Sequence, residues 1–211
     1  MILTSKPVII MGTGGHAKVI ADALNLSKVE ILGFVTPSLN VGLEFCGKKI
    51  LGNDLSISQY SVDKVEIVNG VGSLPRQDLR WELAEKIRKL GYRFATVVHP
   101  SAVIASDVNL DEGVQIMAGA VIQPKTKIGK DSIINTGVLI DHDCRISENC
   151  HIAPGVICSG GVTIGKGTHV GSGTVVTEYR SIKGNCIVAA GSVVYKDILD
   201  NTTLIQAKYQ K

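Results

Sequence analysis

Rings are scarce in this chain, with three Phe, one Trp and five Tyr among 211 residues. No basic run interleaved with aromatics occurs, and the formal net charge is only +3, so nucleic acid is not an expected partner. No Cys-x-x-Cys pair is present among the five cysteines, which removes the redox motif and the commonest zinc spacing. Long hydrophobic runs are missing too: Val8 to Met11 is a short strand-like stretch ending in glycine, neither a signal peptide nor a membrane segment. A cytoplasmic location without membrane insertion is the expectation. The length and an apolar share of 45% suit one or two domains with ample core.

What is present is a strict period of six. From Ile104 to Val194 every sixth residue is Ile, Leu or Val, with Cys158 the one exception. Helix period and simple strand alternation do not produce this, whereas a parallel β-helix does. Two residues before each aliphatic runs a second column that includes Val114, Ala120, Thr126, Ser132, Val138, Cys144, Cys150 and Cys186. Strand positions two apart share a face, so both columns point inward and the interior has no room for rings. Three residues after each aliphatic stands Gly, Asn or Asp, except at Lys125 and Tyr179. These types tolerate positive φ, so each rung ends in a tight corner. Three corners close a triangular coil of eighteen residues, and the unbroken register predicts a left-handed parallel β-helix over 99–211, an exception to the right-handed crossover rule. Cys144, Cys150, Cys158 and Cys186 are packing residues by position, leaving Cys46 as an odd one.

Residues 1–98 form a different domain, a Rossmann-like βαβ lobe. A strand at 8–11, the turn GTGG and a helix over about 16–26 with Val19, Ile20, Ala23 and Leu24 on its apolar face are followed by strands at 30–35 and 65–69. A second helix is expected from about Pro75 to Leu90 with Leu79, Leu83, Ile87 and Leu90 buried, and Gly91 stops it. A last strand is expected over 92–98. A glycine turn at a helix N-terminus offers N–H groups to an anion, so Gly12, Gly14, Gly15 and His16 are a candidate diphosphate site. A plain tight turn that binds nothing is the alternative. The full dinucleotide fingerprint would need a glycine where Ala17 stands and an acidic residue where the chain reads Val35-Thr36-Pro37, so NAD is a poor fit.

On a solenoid the informative residues are outward polar groups that break the columns. His142 leads, with Asp141 and Asp143 beside it and Asn135 one rung earlier. An imidazole held by a carboxylate suits a general base; an exposed corner histidine beside an aspartate required by the corner is the other reading. Eighteen residues on lies Gly160, directly over His142, where a groove for a thin ligand could open. His151 and His169 are also eighteen apart and should stack on one face, as two imidazoles without a third metal ligand in view.

The stretches GTGGHAKV, VVHPSAVIA, NTGVLIDHDCRI and HIAPGVICSGGVTIG together resemble the sugar O-acyltransferases and nucleotide-sugar (UDP-4-amino-sugar) N-acetyltransferases of the sialic acid O-acetyltransferase type. The resemblance implies a homotrimer with active sites between neighbouring β-helices, acetyl-CoA as donor, no metal, and a nucleotide-linked amino-sugar of bacterial-type surface glycan or glycoprotein synthesis as acceptor. It implies His142 as general base, Asp143 as its orienting carboxylate and Asn135 as a positioning group. His151 would lie near the thioester, Gly160, Ser172 and Ala190 would line the coenzyme A path, and Gly14, Gly15 and His16 would contact the nucleotide sugar. Two departures stand out: Thr36-Pro37 replaces acidic residues after the second strand, and 201–211 lacks a Gly-x-Pro-Ala ending. Three other functions remain open at this point: O-acetylation of sialic acid or a related sugar, a metal-dependent hydratase using His151 or His169, and a non-catalytic sugar-nucleotide binding trimer.

Overall fold

The period of six becomes a left-handed solenoid with three flat faces in the computed structural model, which describes residues 4, 6–37 and 41–205. The chain divides into two units, Met1–Pro100 and Ser101–Lys211.

In the second unit each rung contributes a two-residue strand. Face I stacks Val103–Ile104, Val121–Ile122, Leu139–Ile140, Ile157–Cys158, Val175–Val176 and Val193–Val194. Face II stacks Asn109–Leu110, Lys127–Ile128, Arg145–Ile146, Thr163–Ile164 and Ser181–Ile182. Face III stacks Gln115–Ile116, Ile133–Ile134, His151–Ile152, His169–Val170 and Ile187–Val188 and ends on Thr203–Leu204. Neighbouring strands run parallel and eighteen residues apart, as Val121↔Leu139 and His151↔His169 illustrate. Only at the end does the spacing tighten: Ile187 pairs with Thr203 and Ile182 bridges Ile198.

Both inward columns are buried through the middle coils. The small polar members of the second column also make hydrogen bonds across the coil to corner carbonyls. Thr126 Oγ1 donates to Asp141 O, Ser132 Oγ to Ser147 O and Cys144 Sγ to Ser159 O, so hydroxyls and thiols inside the prism are satisfied rather than stranded. Every corner from Gly113 to Gly191 has positive φ, including Lys125 at 60° and Tyr179 at 56°.

The first unit is a mixed sheet in the order β3-β4-β2-β1-β5, formed by β1 Val8–Met11, β2 Ile31–Val35, β3 Glu44–Phe45, β4 Lys48–Gly52 and β5 Glu66–Asn69. The strands are parallel except for the β3–β4 hairpin, whose two-residue loop, Cys46 and Gly47, takes positive φ at both positions, as a type I′ turn demands. Neither this hairpin nor the 3-10 segment Asp54–Gln59 was expected, because short strands and single turns carry little periodicity.

Helix α1, Gly15–Leu26, lies as expected, though Ala17 and Ala21 take the inward places and Val19 is exposed. Helix α2, Leu79–Lys89, starts four residues later than expected, because Arg76 sits at φ 62°. Its buried face is also rotated: Arg80, Ala84 and Ile87 point inward while Leu79 and Leu90 are exposed. The cause is the guanidinium of Arg80, which donates to the carbonyls of Asn69 and Val71 at 2.8 and 2.6 Å. Of the expected strand over 92–98, Phe94 bridges Ile67 and only Val97–Val98 is regular.

Candidate active site

Corner geometry positions His142. It stands at the edge between faces I and II, just before the left-handed residue Asp143. Its backbone N–H donates to Asp141 Oδ1 at 2.7 Å, and Nδ1 lies 2.8 Å from Asp143 Oδ2. A carboxylate only accepts, so Nδ1 carries a proton, and in the neutral ring Nε2 presents its lone pair. Asp143 therefore serves twice, as a residue tolerated at positive φ and as the partner of the imidazole. The carbonyls just before His142 and Gly160 are those held by Thr126 and Cys144 from inside the prism. The expected stacking of Gly160 on His142 is present: a Cβ at Gly160 would stand 2.7 Å from Cε1 and 2.8 Å from Nε2 of the ring.

Asn135 is not brought to His142. It sits at the edge between faces III and I, where its Oδ1 accepts the Thr136 N–H at 2.8 Å and its Nδ2 lies 3.2 Å from His151 Nε2. Since Oδ1 is identified by the backbone donor, the amide donates to Nε2, and the His151 proton is on Nδ1. His151 and His169 stack edge-to-face with centroids 4.8 Å apart. Burial holds the His169 imidazole below its ordinary pKa, and no group of three or more His, Cys, Asp or Glu suited to a metal occurs among the described residues. Ser172 and Ala190 belong to the same III/I edge, with Gly191 N donating to Ser172 O. Within the solenoid the candidate residues thus fall at or beside two edges separated by face I, a rung of six residues or at most about 20 Å of chain, with His151 on face III next to the Asn135 edge. A hollow of about 260 Å³ on face I, lined by Val121, Leu139, Ile157, Asp141 and Ser159, reaches the His142 edge.

The four solenoid cysteines are buried. Burial pushes the Cys144 thiol up to about 11 and the Cys150 thiol up to about 12, and Cys158 is raised as well. Thiols so placed stay protonated and are poor nucleophiles.

In the first unit, Gly12 has φ 88° and packs on Gly70 and Val71, while Gly14 and Gly15 face open space. The N-terminus of α1 has no side-chain cap and no acidic residue in its first turn. Sequence reading missed the companion loop, Asn-Gly-Val-Gly-Ser at 69–73. Asn69 receives the Val71 N–H on Oδ1 and donates Nδ2 to Arg80 O, and a Cβ at Gly70 would meet Met11 O at 2.6 Å. Because β1 lies between β2 and β5, the two glycine loops flank the topological switch point where parallel sheets bind ligands. The signal was a second glycine pair after an apolar strand, which carries meaning only once strand order is known.

Residues 7–87 match the PglD N-terminal domain, and residues 107–142 match the bacterial transferase hexapeptide, six repeats. Among solved structures, the chain is similar to a histidine-to-asparagine variant of perosamine N-acetyltransferase from Caulobacter crescentus in complex with CoA and GDP-perosamine. Identity is 32%, coverage is 96% of this chain and 94% of that one, and the TM-score is 0.87. It is also similar to the acetyltransferase domain of PglB from Neisseria gonorrhoeae in complex with acetyl coenzyme A, at 26% identity, 95% and 96% coverage and a TM-score of 0.86. A curated relative, UDP-N-acetylbacillosamine N-acetyltransferase of Bacillus subtilis, is 34% identical over 115 residues, 54% of this chain, and the match spans 52% of that relative's length.

Proposed function

This chain belongs to the hexapeptide-repeat nucleotide-sugar N-acetyltransferases that carry a PglD-type N-terminal domain, and from that premise we propose that it moves the acetyl group of acetyl-CoA onto the amine of a nucleotide-linked amino-sugar. The observation that carries the reading is the His142–Asp143 pair, with Nδ1 engaged at 2.8 Å and Nε2 turned over Gly160. Nε2 takes the proton from the amine as its nitrogen attacks the thioester carbon. The C–S bond breaks, and the proton passes on to the departing coenzyme A sulfur. Positioning and base catalysis suffice for so reactive a donor, without a covalent enzyme intermediate. The switch-point crevice between 12–16 and 69–73 suits the diphosphate of the acceptor, on uncapped N–H groups at the start of α1.

The same reading extends to a homotrimer. Outward residues of face I form an aliphatic row, Val103, Val121, Leu139, Ile157, Val175 and Val193, most of them exposed. An apolar face of this kind favours association. Three copies turning face I to a threefold axis would bring the His142 edge of one protomer beside the Asn135, Ser172 and Ala190 edge of the next, closing as a ring. His151, oriented by Asn135, would then approach the thioester from the neighbouring subunit.

A panel of UDP- and GDP-linked amino-sugars with acetyl-CoA, followed by release of free thiol, tests the activity. Acetylation of an amine, lost in His142→Ala, is the expected result; turnover only of hydroxyl sugars would move the assignment to O-acetylation. Co-expression of His142→Ala with His151→Ala tests the shared site, since mixed trimers should recover activity that neither variant has alone. No recovery would sink the inter-subunit arrangement.

A further inference from the structure

Arg80 breaks three local rules at once. It is a charged side chain only 2% exposed, and desolvating a guanidinium carries a penalty that an apolar side chain avoids. It is the second residue of α2, where a cation opposes the helix dipole. It also takes the inward place while Leu79 beside it is exposed, so the helix gives up part of its leucine stripe. Residues that contradict their local setting in this way gather at functional sites.

What the guanidinium does is fix one loop. A single nitrogen, Nη1, donates to both the Asn69 and the Val71 carbonyls, at 2.8 and 2.6 Å. Asn69, 1% exposed, closes the clamp from the other side: its Oδ1 accepts the Val71 N–H at 3.1 Å and its Nδ2 donates to Arg80 O at 3.0 Å. In a trans peptide the C=O and the N–H that follows it point in opposite directions. With the Val71 carbonyl drawn in to Nη1, the Gly72 N–H is turned the other way, and Gly72 is exposed.

This loop borders the β1–α1 turn. A Cβ at Gly12 would stand 3.3 Å from Val71 Cγ2, and one at Gly72 would stand 3.7 Å from His16 Cβ. The outward N–H thus lies beside the first turn of α1, whose own N–H groups have no side-chain cap. Folding does not require glycine at position 72: its backbone is outside the left-handed region, and the nearest atom to an added Cβ is at ordinary contact distance.

On the reading of the preceding section, in which the crevice between 12–16 and 69–73 takes the acceptor's diphosphate, we infer that Arg80 is a positioning residue for the nucleotide. From inside the first unit its guanidinium sets the Val71–Gly72 peptide so that the Gly72 N–H is presented to the diphosphate, opposite the N–H groups that open α1. A buried side chain that never meets the substrate thereby decides how the crevice grips it.

The test is a steady-state comparison of wild type, Arg80→Met, Arg80→Lys, Gly72→Ala and Leu83→Ala. The acceptor is whichever of GDP-perosamine and a UDP-4-amino-sugar wild type acetylates faster. In Arg80→Met the acceptor KM should rise at least about tenfold, the scale of one lost hydrogen bond to a charged group. Its acetyl-CoA KM and its kcat at saturating acceptor should be unchanged, the pattern of lost binding rather than lost chemistry. Arg80→Lys should restore most of the affinity, because one ammonium can donate to both carbonyls as Nη1 does. Gly72→Ala leaves the clamp intact and should fold with the wild-type Tm. Its methyl group crowds the presented N–H and should raise the acceptor KM about tenfold, which keeps the inference testable should Arg80→Met not fold. Leu83→Ala trims the same helix where it packs on the core of the first unit; it should lower Tm yet keep the wild-type acceptor KM. A wild-type acceptor KM in folded Arg80→Met or in Gly72→Ala, or an equal rise in Leu83→Ala, overturns the inference while the transferase reading stands. Absence of thiol release by wild type with every amino-sugar takes both down.

Discussion

Replacing Gly160 by alanine separates catalysis from folding in one step. The added Cβ would stand 2.7 Å from His142 Cε1 and 2.8 Å from Nε2. Comfortable contacts are about 3.5–4.0 Å, so the ring must retreat by about 1 Å. The backbone at Gly160 lies outside the left-handed region, so alanine is tolerated, and a compatible glycine-to-alanine change stabilises by about 0.4–1 kcal/mol. What yields is the half-exposed imidazole, which must give up its 2.8 Å bond to Asp143. A misplacement of about 1 Å at a reacting group costs about 100-fold, or about 2.7 kcal/mol of barrier. Initial rates of thiol release at saturating acceptor, the acetyl-CoA KM and a melting curve on the same preparation check this. The expected outcome is kcat down about 100-fold with Tm unchanged or slightly raised. A folded Gly160→Ala variant within about threefold of wild-type kcat would refute the placement of His142 as the base.

Further outcomes follow from the same geometry. His142→Ala should lower kcat by about 100-fold or more while leaving acetyl-CoA binding by calorimetry intact, because the base acts on the acceptor; wild-type kinetics would reject the assignment. A thiol reagent should titrate one cysteine in the native protein, the exposed Cys46, and all five after denaturation, since the others are buried; rapid native labelling of Cys144 would contradict its raised pKa. Burial holds His169 below its usual 6.5, so the unfolded chain takes up this proton first as pH falls. Stability is then full above about pH 6.5 and declines below it until the folded ring titrates. Urea midpoints against pH should show this, with a flatter curve in His169→Gln; identical curves would disprove it. Gly70→Ala should destabilise the first unit by about 2 kcal/mol or more, because its Cβ would meet the Met11 carbonyl and no flexible atom can give way. Hydrogen exchange in β1 and β5 would report it.

Legibility in the sequence followed the strength of the periodicity. Sixteen rungs with aliphatic, small and left-handed columns allow one solution, and the structure repeats it down to the positive φ of Lys125 and Tyr179. The first unit was legible where strand and helix patterns are long, and opaque at the β3–β4 hairpin and at α2. There a buried guanidinium, bonded to Asn69 and Val71 carbonyls, turned the helix against its apparent leucine stripe. His142, Asp143 and Gly160 were legible because residues eighteen apart must stack. The loop at 69–73 was not, because its meaning depends on β5 lying next to β1.

The amino-acid sequence by itself determined the solenoid, its eighteen-residue coil, the inward fate of four cysteines and the stacking of Gly160 on His142, all consequences of a strict period. Only the tertiary structure decided that Asn135 serves His151 rather than His142, that the candidate residues divide between two edges, and that Tyr179 leans over Gly161 beside the glycine that His142 covers. A period specifies which residues share a column; the directions of side chains between columns depend on hydrogen bonds and contacts that the period does not encode.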